Sequence, residues 1–220
     1  MGFRFLWLSP SKEVRLTLIF LKGVGWVSLQ YASIVLIEAG HLHEMGILFR
    51  CMDECIEDIL FFADARGPKG QVSVNQQRAI AEFFQEQFEN PGETLSKKRD
   101  RLPRQKVCAA IIAPGHASLE SKGKEAMKTL DEGFSGFVHG AYPHIMELYG
   151  GDPPRYHTSG MQGTPRISEY VEALINYVYR AVVATLLVAL RLGEEDISEN
   201  LLRIKRELEG RFPQLPANGT

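Results

Sequence analysis

LQYASIVLIEAGHLHEMGILFRCMDECIEDILFFADA, residues 29–65, is the stretch that decides the fold class. Stepping by four and three from Tyr31 gives Val35, Glu38, Leu42, Met45, Phe49, Met52, Ile56, Ile59 and Ala63; nine of these ten positions are apolar or aromatic. That spacing is the seam of an amphipathic helix, and Ile34, Leu48, Cys55 and Phe62 widen it into a core-facing stripe. The sequence therefore predicts one long helix from about Leu29 to Ala65, ended by Gly67-Pro68. Ile47 and Phe61 lie off the seam, so the helix is expected to have neighbours on more than one face. Gly40 and Gly46 each cost a helix about 1 kcal/mol against Ala, which close approach of a partner helix would offset.

Outward from this helix the remaining elements also read as helical. Ser73 and Gln76 form a capping-box pattern ahead of Ile80, Phe83, Phe84 and Phe88, and Asn90-Pro91-Gly92 stops that helix. Residues 109–112 suit a short helix, 119–138 a longer one with Met127, Leu130, Phe134 and Phe137 at helical spacing, and 142–148 a short turn. Gly150 to Pro165 reads as an irregular loop with no hairpin signal. A strong helix follows over Ile167–Leu192, ended by Gly193, and Asp196 with Glu199 opens a last amphipathic one closed by Gly210 and Pro213. The expected fold class is all-α, an irregular helical bundle. Its organisation is an apolar N-terminal extension over 1–28, a bundle domain over 29–210 and a flexible tail over 211–220.

The chain has 220 residues, 45% hydrophobic and 24% charged, which excludes disorder as its main state. A net charge of −2 gives no global basic field toward nucleic acid. Cys51, Cys55 and Cys108 make an odd set, no disulfide framework, and fit a reducing compartment. Residues 16–37 hold 15 apolar or aromatic residues of 22 and one charge, Lys22. That length suffices for an N-terminal membrane anchor. Gly23, Gly25, Ser28 and Gln30 interrupt the run, so a buried helix in a cytoplasmic protein is the expectation and the anchor its alternative.

Several groups carry chemistry. Glu38 is the one charge in the seam and His41 follows one turn later, so the two are expected to form a buried, hydrogen-bonded pair. Glu-x-x-His is also the half-motif of di-iron carboxylate bundles, but no second copy occurs, and neither a metal site nor a cofactor is expected. His43, Arg50, Glu54 and Glu57 read as a solvated face, and Cys51 with Cys55 as structural thiols. Residues 135–166 gather three of the six histidines, and His139, Tyr142, His144, Arg155 and His157 form the candidate ligand site there. An imidazole facing a cationic loop suits an anionic ligand. The basic run Lys97, Lys98, Arg99, Arg101, Arg104 and Lys106 is a candidate nucleic-acid contact without interleaved aromatics for stacking. Other partners the sequence admits are a protein and a second copy of the chain.

With GHLHEMGILFRCMDECIEDI at Gly40–Ile59 and FSGFVHGAYPHIMELYGGDPPRYH at Phe134–His157, the chain resembles a bacterial all-helical family, a domain of unknown function. More distantly, a long helix and a later helix ending in Ser-Gly-Phe-Val-His resemble HEPN-type domains of defence and toxin–antitoxin systems. The resemblance implies a helical interaction or ligand-binding module. HEPN ribonucleases place an Arg five to seven positions ahead of a His, with four to six residues between the two. Before His139 those positions hold Glu132, Gly133 and Phe134, so only His139 carries over. A His-based nuclease or hydrolase and a metal-binding bundle stand as alternatives.

Overall fold

A computed structural model of the protein describes residues 12–64, 72–84, 102–112, 125 and 133–215. Its helices are α1 (Lys12–Ala39), α2 (Leu42–Ala63), α3 (Val74–Phe84), α4 (Arg104–Ile111), α5 (Tyr142–Met146), α6 (Arg166–Leu192) and α7 (Glu195–Arg211), with residues 133–138 also helical. Strands β1 (Tyr149–Gly150) and β2 (Arg155–Tyr156) pair antiparallel. The all-α class holds. The small hairpin is a correction to the structureless loop: Tyr149 faces Tyr156 across the ladder, and their rings lie 4.9 Å apart.

The long helix is also corrected. It is two helices, broken at Gly40, where φ is +78°. The Gly40 N–H donates to the Ile37 carbonyl at 2.9 Å and the His41 N–H to that of Leu36 at 2.8 Å, the bond pair of a Schellman turn. The chain then doubles back. Val14 and Leu18 of α1 pack with Phe61 and Phe62 of α2, while Leu36 and Ile37 meet Leu42 and Met45, so the pair is antiparallel. The seam from Leu42 to Ala63 is core, but Tyr31, Val35 and Glu38 face solvent. Because α1 starts at Lys12, the 28/29 boundary falls inside it.

Packing centres on α2, which touches α1, α4 and α6. Near the turn, Phe49 stacks on Tyr177 of α6 at 4.4 Å and meets Phe134 edge-on at 5.4 Å. At the other end Phe61 and Phe62 join Val72, Ile80, Leu102 and Val107. Ser73 and Gln76 form the expected reciprocal cap, with bonds of 2.8 and 3.2 Å. The Gln76 amide also donates to the Phe61 and Asp64 carbonyls, closing the C-terminus of α2 against the N-terminus of α3.

The acidic face of α2 is the main departure from expectation. Asp53 is 1% exposed and Glu57 is buried; of the face read as solvated, Glu54 is half-buried and pairs with Arg50 at 3.1 Å. Asp53 Oδ1 lies 2.6 Å from Arg180 Nη2 of α6, and Asp53 Oδ2 accepts the Tyr177 hydroxyl at 2.8 Å. Arg104 of α4 bonds Glu57 and, at 2.5 Å, Asp58. Lys22 of α1 reaches the other Asp58 oxygen at 2.6 Å. Three helices are thus tied to α2 by cations.

Burial pushes the Asp53 carboxyl above its ordinary 3.8, an effect that Arg180 and Tyr177 offset only in part. A carboxyl raised in the folded state contributes stability that is complete below its unfolded pKa and lost as pH rises through the folded one. In urea unfolding, the stability of wild type relative to Asp53→Asn should therefore be greater at pH 4 than at pH 7. Asp53→Ala should cost about 3 kcal/mol, the low end for stranding a buried partner, because the Arg180 side chain keeps 24% exposure to water.

Candidate functional site

The stretch from 133 to 170 is built by glycines that let rings approach backbone. A Cβ on Gly46 of α2 would stand 2.5 Å from the Phe137 ring, so only glycine admits Phe137 there. Gly136 likewise leaves the space that the His144 ring fills, and that ring lies 4.2 Å from Phe137. Residues 133–138 end at Gly140 in a second Schellman pair: Gly140 N–H to Phe137 O at 3.4 Å, Ala141 N–H to Gly136 O at 2.8 Å. The chain then enters α5 through Pro143.

His144 is half-buried, with Nδ1 3.6 Å from Glu147 Oε1. Glu147 Oε2 takes Arg166 Nη2 at 2.7 Å and the Tyr170 hydroxyl at 3.4 Å. Burial, reinforced by the Glu147 carboxylate, pushes the Tyr170 phenol up, so it stays a donor. His43 Nδ1 sits 3.2 Å from the His144 carbonyl oxygen and its ring 5.3 Å from Phe137. These side chains join α2, α5 and α6. The sequence named only His144 among them as a candidate site residue and read His43 as part of a solvated face, because their meeting depends on the Gly46 and Gly136 contacts.

The five candidate residues do not converge. His139 is exposed in the turn, Tyr142 is 74% exposed, and Arg155 is exposed on β2. His157 braces the hairpin, its Nε2 3.2 Å from the Gly150 carbonyl oxygen and its N–H donating to Leu148 O at 2.8 Å. It also lines a cleft of about 120 Å³ with His41, Glu44, Leu148 and Thr158. The Glu38–His41 pair is not buried. Glu38 is exposed, and the Gly40 turn separates it from His41, whose Nδ1 lies 3.7 Å from Glu44. Among the described residues no group of three or more His, Cys, Asp and Glu could hold a metal ion. Burial raises the Cys51 thiol, and that of Cys55 to about 11, so neither is a ready thiolate ligand. In the basic run, Arg104 is committed to α2, Lys106 is exposed on α4, and 97–101 lie outside the described residues.

A larger concavity lies elsewhere. Between α1 and α6, over Ile56 and Ile59 of α2, runs a cleft of about 540 Å³ walled by Phe20, Val24 and Val27 on one side and Ala181, Thr185 and Val188 on the other. It continues into exposed apolar residues along α1 as far as Val35. Both α1 and α6 are long and apolar enough to cross a membrane, and the core helices of soluble proteins share that property. The signal in the sequence was the near-absence of charge over 16–37, read there as burial. The chain matches no protein-family model, no curated protein and no solved structure.

Braced and exposed positions of this stretch should separate by mutation. Gly136→Ala or His144→Ala should lower stability by about 1–3 kcal/mol through overlap or lost packing. His139→Ala and Tyr142→Ala should stay within about 0.5 kcal/mol, as surface changes do. Thermal melts of the four variants check this.

Proposed function

We propose that the protein is a helical interaction module that works by binding rather than by chemistry, through the apolar face formed by α1 and α6. One observation carries this: a cleft of about 540 Å³ between α1 and α6 is walled by apolar residues, while His139 is exposed, His144 packs on Phe137 and His157 is held against the Gly150 carbonyl. A general base has to lie within hydrogen-bond reach of a nucleophile or a substrate proton, and no such grouping links His139, His144 and His157. An apolar cleft with small residues on one wall suits an amphipathic helix laid along it. The resemblance to HEPN-type domains points to the same class, an interaction module of a defence or toxin–antitoxin system. A cytoplasmic location fits this reading. Carrying α1 across a bilayer would take the antiparallel α2 with it, and α2 bears Arg50, Asp53, Glu54, Glu57 and Asp58, each costly at bilayer depth.

Thr185→Arg sets a charge on the cleft wall at an exposed position. It should abolish association of the chain, with itself or with an added amphipathic helical peptide, while circular dichroism keeps its helix content. His139→Ala and Arg155→Ala should leave association unchanged. A Thr185→Arg chain that associates like wild type overturns the reading, as does a wild type that associates with neither.

A further inference from the structure

We infer that the occupant of the α1–α6 face is the same face of a second copy, so that α1 and α6 of two chains close into an intermolecular four-helix bundle. This rests on the reading of that face as the binding surface and names its partner. On α1, Phe20, Val24, Val27, Tyr31, Ile34 and Val35 are 42–70% exposed. Through Ile34 they repeat in steps of four and three, the 3.5-residue spacing of helices that pack in a left-handed bundle. A helix whose inner side is already packed on α2 has no need of a second seam on its outer side.

Charge has been cleared from this surface. Lys22, the one charge between Arg15 and Glu38, turns inward to Asp58 at 2.6 Å. A Cβ on Gly23 or Gly25 would meet nothing within 4 Å, so the outer side of α1 is open to close approach there.

The face is also self-complementary. Phe20, Val24 and Val27 are both knobs of the α1 seam and one wall of the cleft, with small Ala181 and Thr185 opposite. A two-fold axis lets each copy's seam enter the other's cleft, the isologous arrangement that closes a dimer instead of extending a filament. The six seam residues, at the exposures above, offer on the order of 600 Å² per copy, taking ~200 Å² for a whole aromatic side chain and somewhat less for Val and Ile. Two copies would bury about 1,200 Å² from α1 alone, the lower limit of a stable interface, before α6 adds its share.

Sedimentation equilibrium and light scattering of the full chain over low to tens of micromolar test this. Wild type should run at twice the chain mass. Val27→Glu should weaken the dimer at least 100-fold with helix content kept; Tyr31→Lys, at the most exposed seam position, does the same should Val27→Glu fail to fold. Tyr142→Lys, on α5, should leave the dimer intact. A wild type that stays monomeric overturns the inference, and so does a dimer that survives both seam variants. A monomer that still binds an amphipathic helical peptide, blocked by Thr185→Arg, overturns self-association but leaves the interaction-module reading standing. A monomer that binds no peptide overturns both. A monomer that partitions onto phosphatidylglycerol vesicles, and loses this with Val27→Glu, replaces the second copy with a lipid surface.

Discussion

The carboxylates on α2 have to be neutralised away from water, and much of the bundle is arranged around that requirement. Asp53, Glu57 and Asp58 sit on the helix that packs against α1, α4 and α6. Each draws a cation from a different element: Arg180 from α6, Arg104 from α4 and Lys22 from α1. An ion pair of this kind adds little net stability over an apolar contact, but an unpaired buried charge is strongly destabilising. The constraint therefore acts on specificity. A register of α1, α4 or α6 shifted by one turn would leave a carboxylate stranded, whereas the Leu, Val and Phe contacts of the same helices would tolerate sliding.

Glycines set the second constraint, on how closely backbones meet. The α1–α2 turn is docked by direct backbone contact: the Met161 N–H donates to the Gly40 carbonyl at 2.7 Å, and a Cβ on Gly160 would stand 2.5 Å from the Ala39 carbonyl oxygen. Gln162 adds a bond to the Glu38 carbonyl. Beside it, Gly46 receives Phe137 and Gly136 receives His144. One run of close contacts thus passes from the turn through the 133–138 segment to α5. The histidine-rich stretch that reads as a loop site is held as a structural brace at His144 and His157, with His139 and Tyr142 left on its surface.

How much of this was legible follows from what is local. The α6 helix, expected over 167–192 and found at Arg166–Leu192, carries its own period and its own terminal glycine. The Ser73–Gln76 cap is likewise a four-residue affair. The break at Gly40 was hidden because the apolar spacing happens to keep phase across it, although Tyr31 and Val35 face outward and Leu42 and Met45 inward. Only the left-handed φ, set by the docking of Met161 and Gln162, distinguishes a helix-ending glycine from one under a packed neighbour. The acidic face was read as solvated for a similar reason. Charge on a helix is normally exposed, and its burial here depends on three cations distant in sequence.

The two halves of the old seam make opposite use of the same residue types. On α2 the apolar positions face inward together with charges that elsewhere would be solvated; on α1, between Arg15 and Glu38, the one charge, Lys22, faces inward and the row Phe20, Val24, Val27, Tyr31 and Ile34 faces out. Random surface composition does not produce this, since scattered apolar residues on a surface are ordinary but a continuous helical row is not. Folding alone gives no reason to keep it, because α1 already buries Val14 and Leu18 and ties Lys22 to Asp58. An outward row at bundle spacing, next to a cleft of matching chemistry, is what an association surface requires. The inward charges bear on the proposed reading in the same direction: α1 packs along α2, and carrying Asp53, Glu57 and Asp58 of that helix to bilayer depth would be costly.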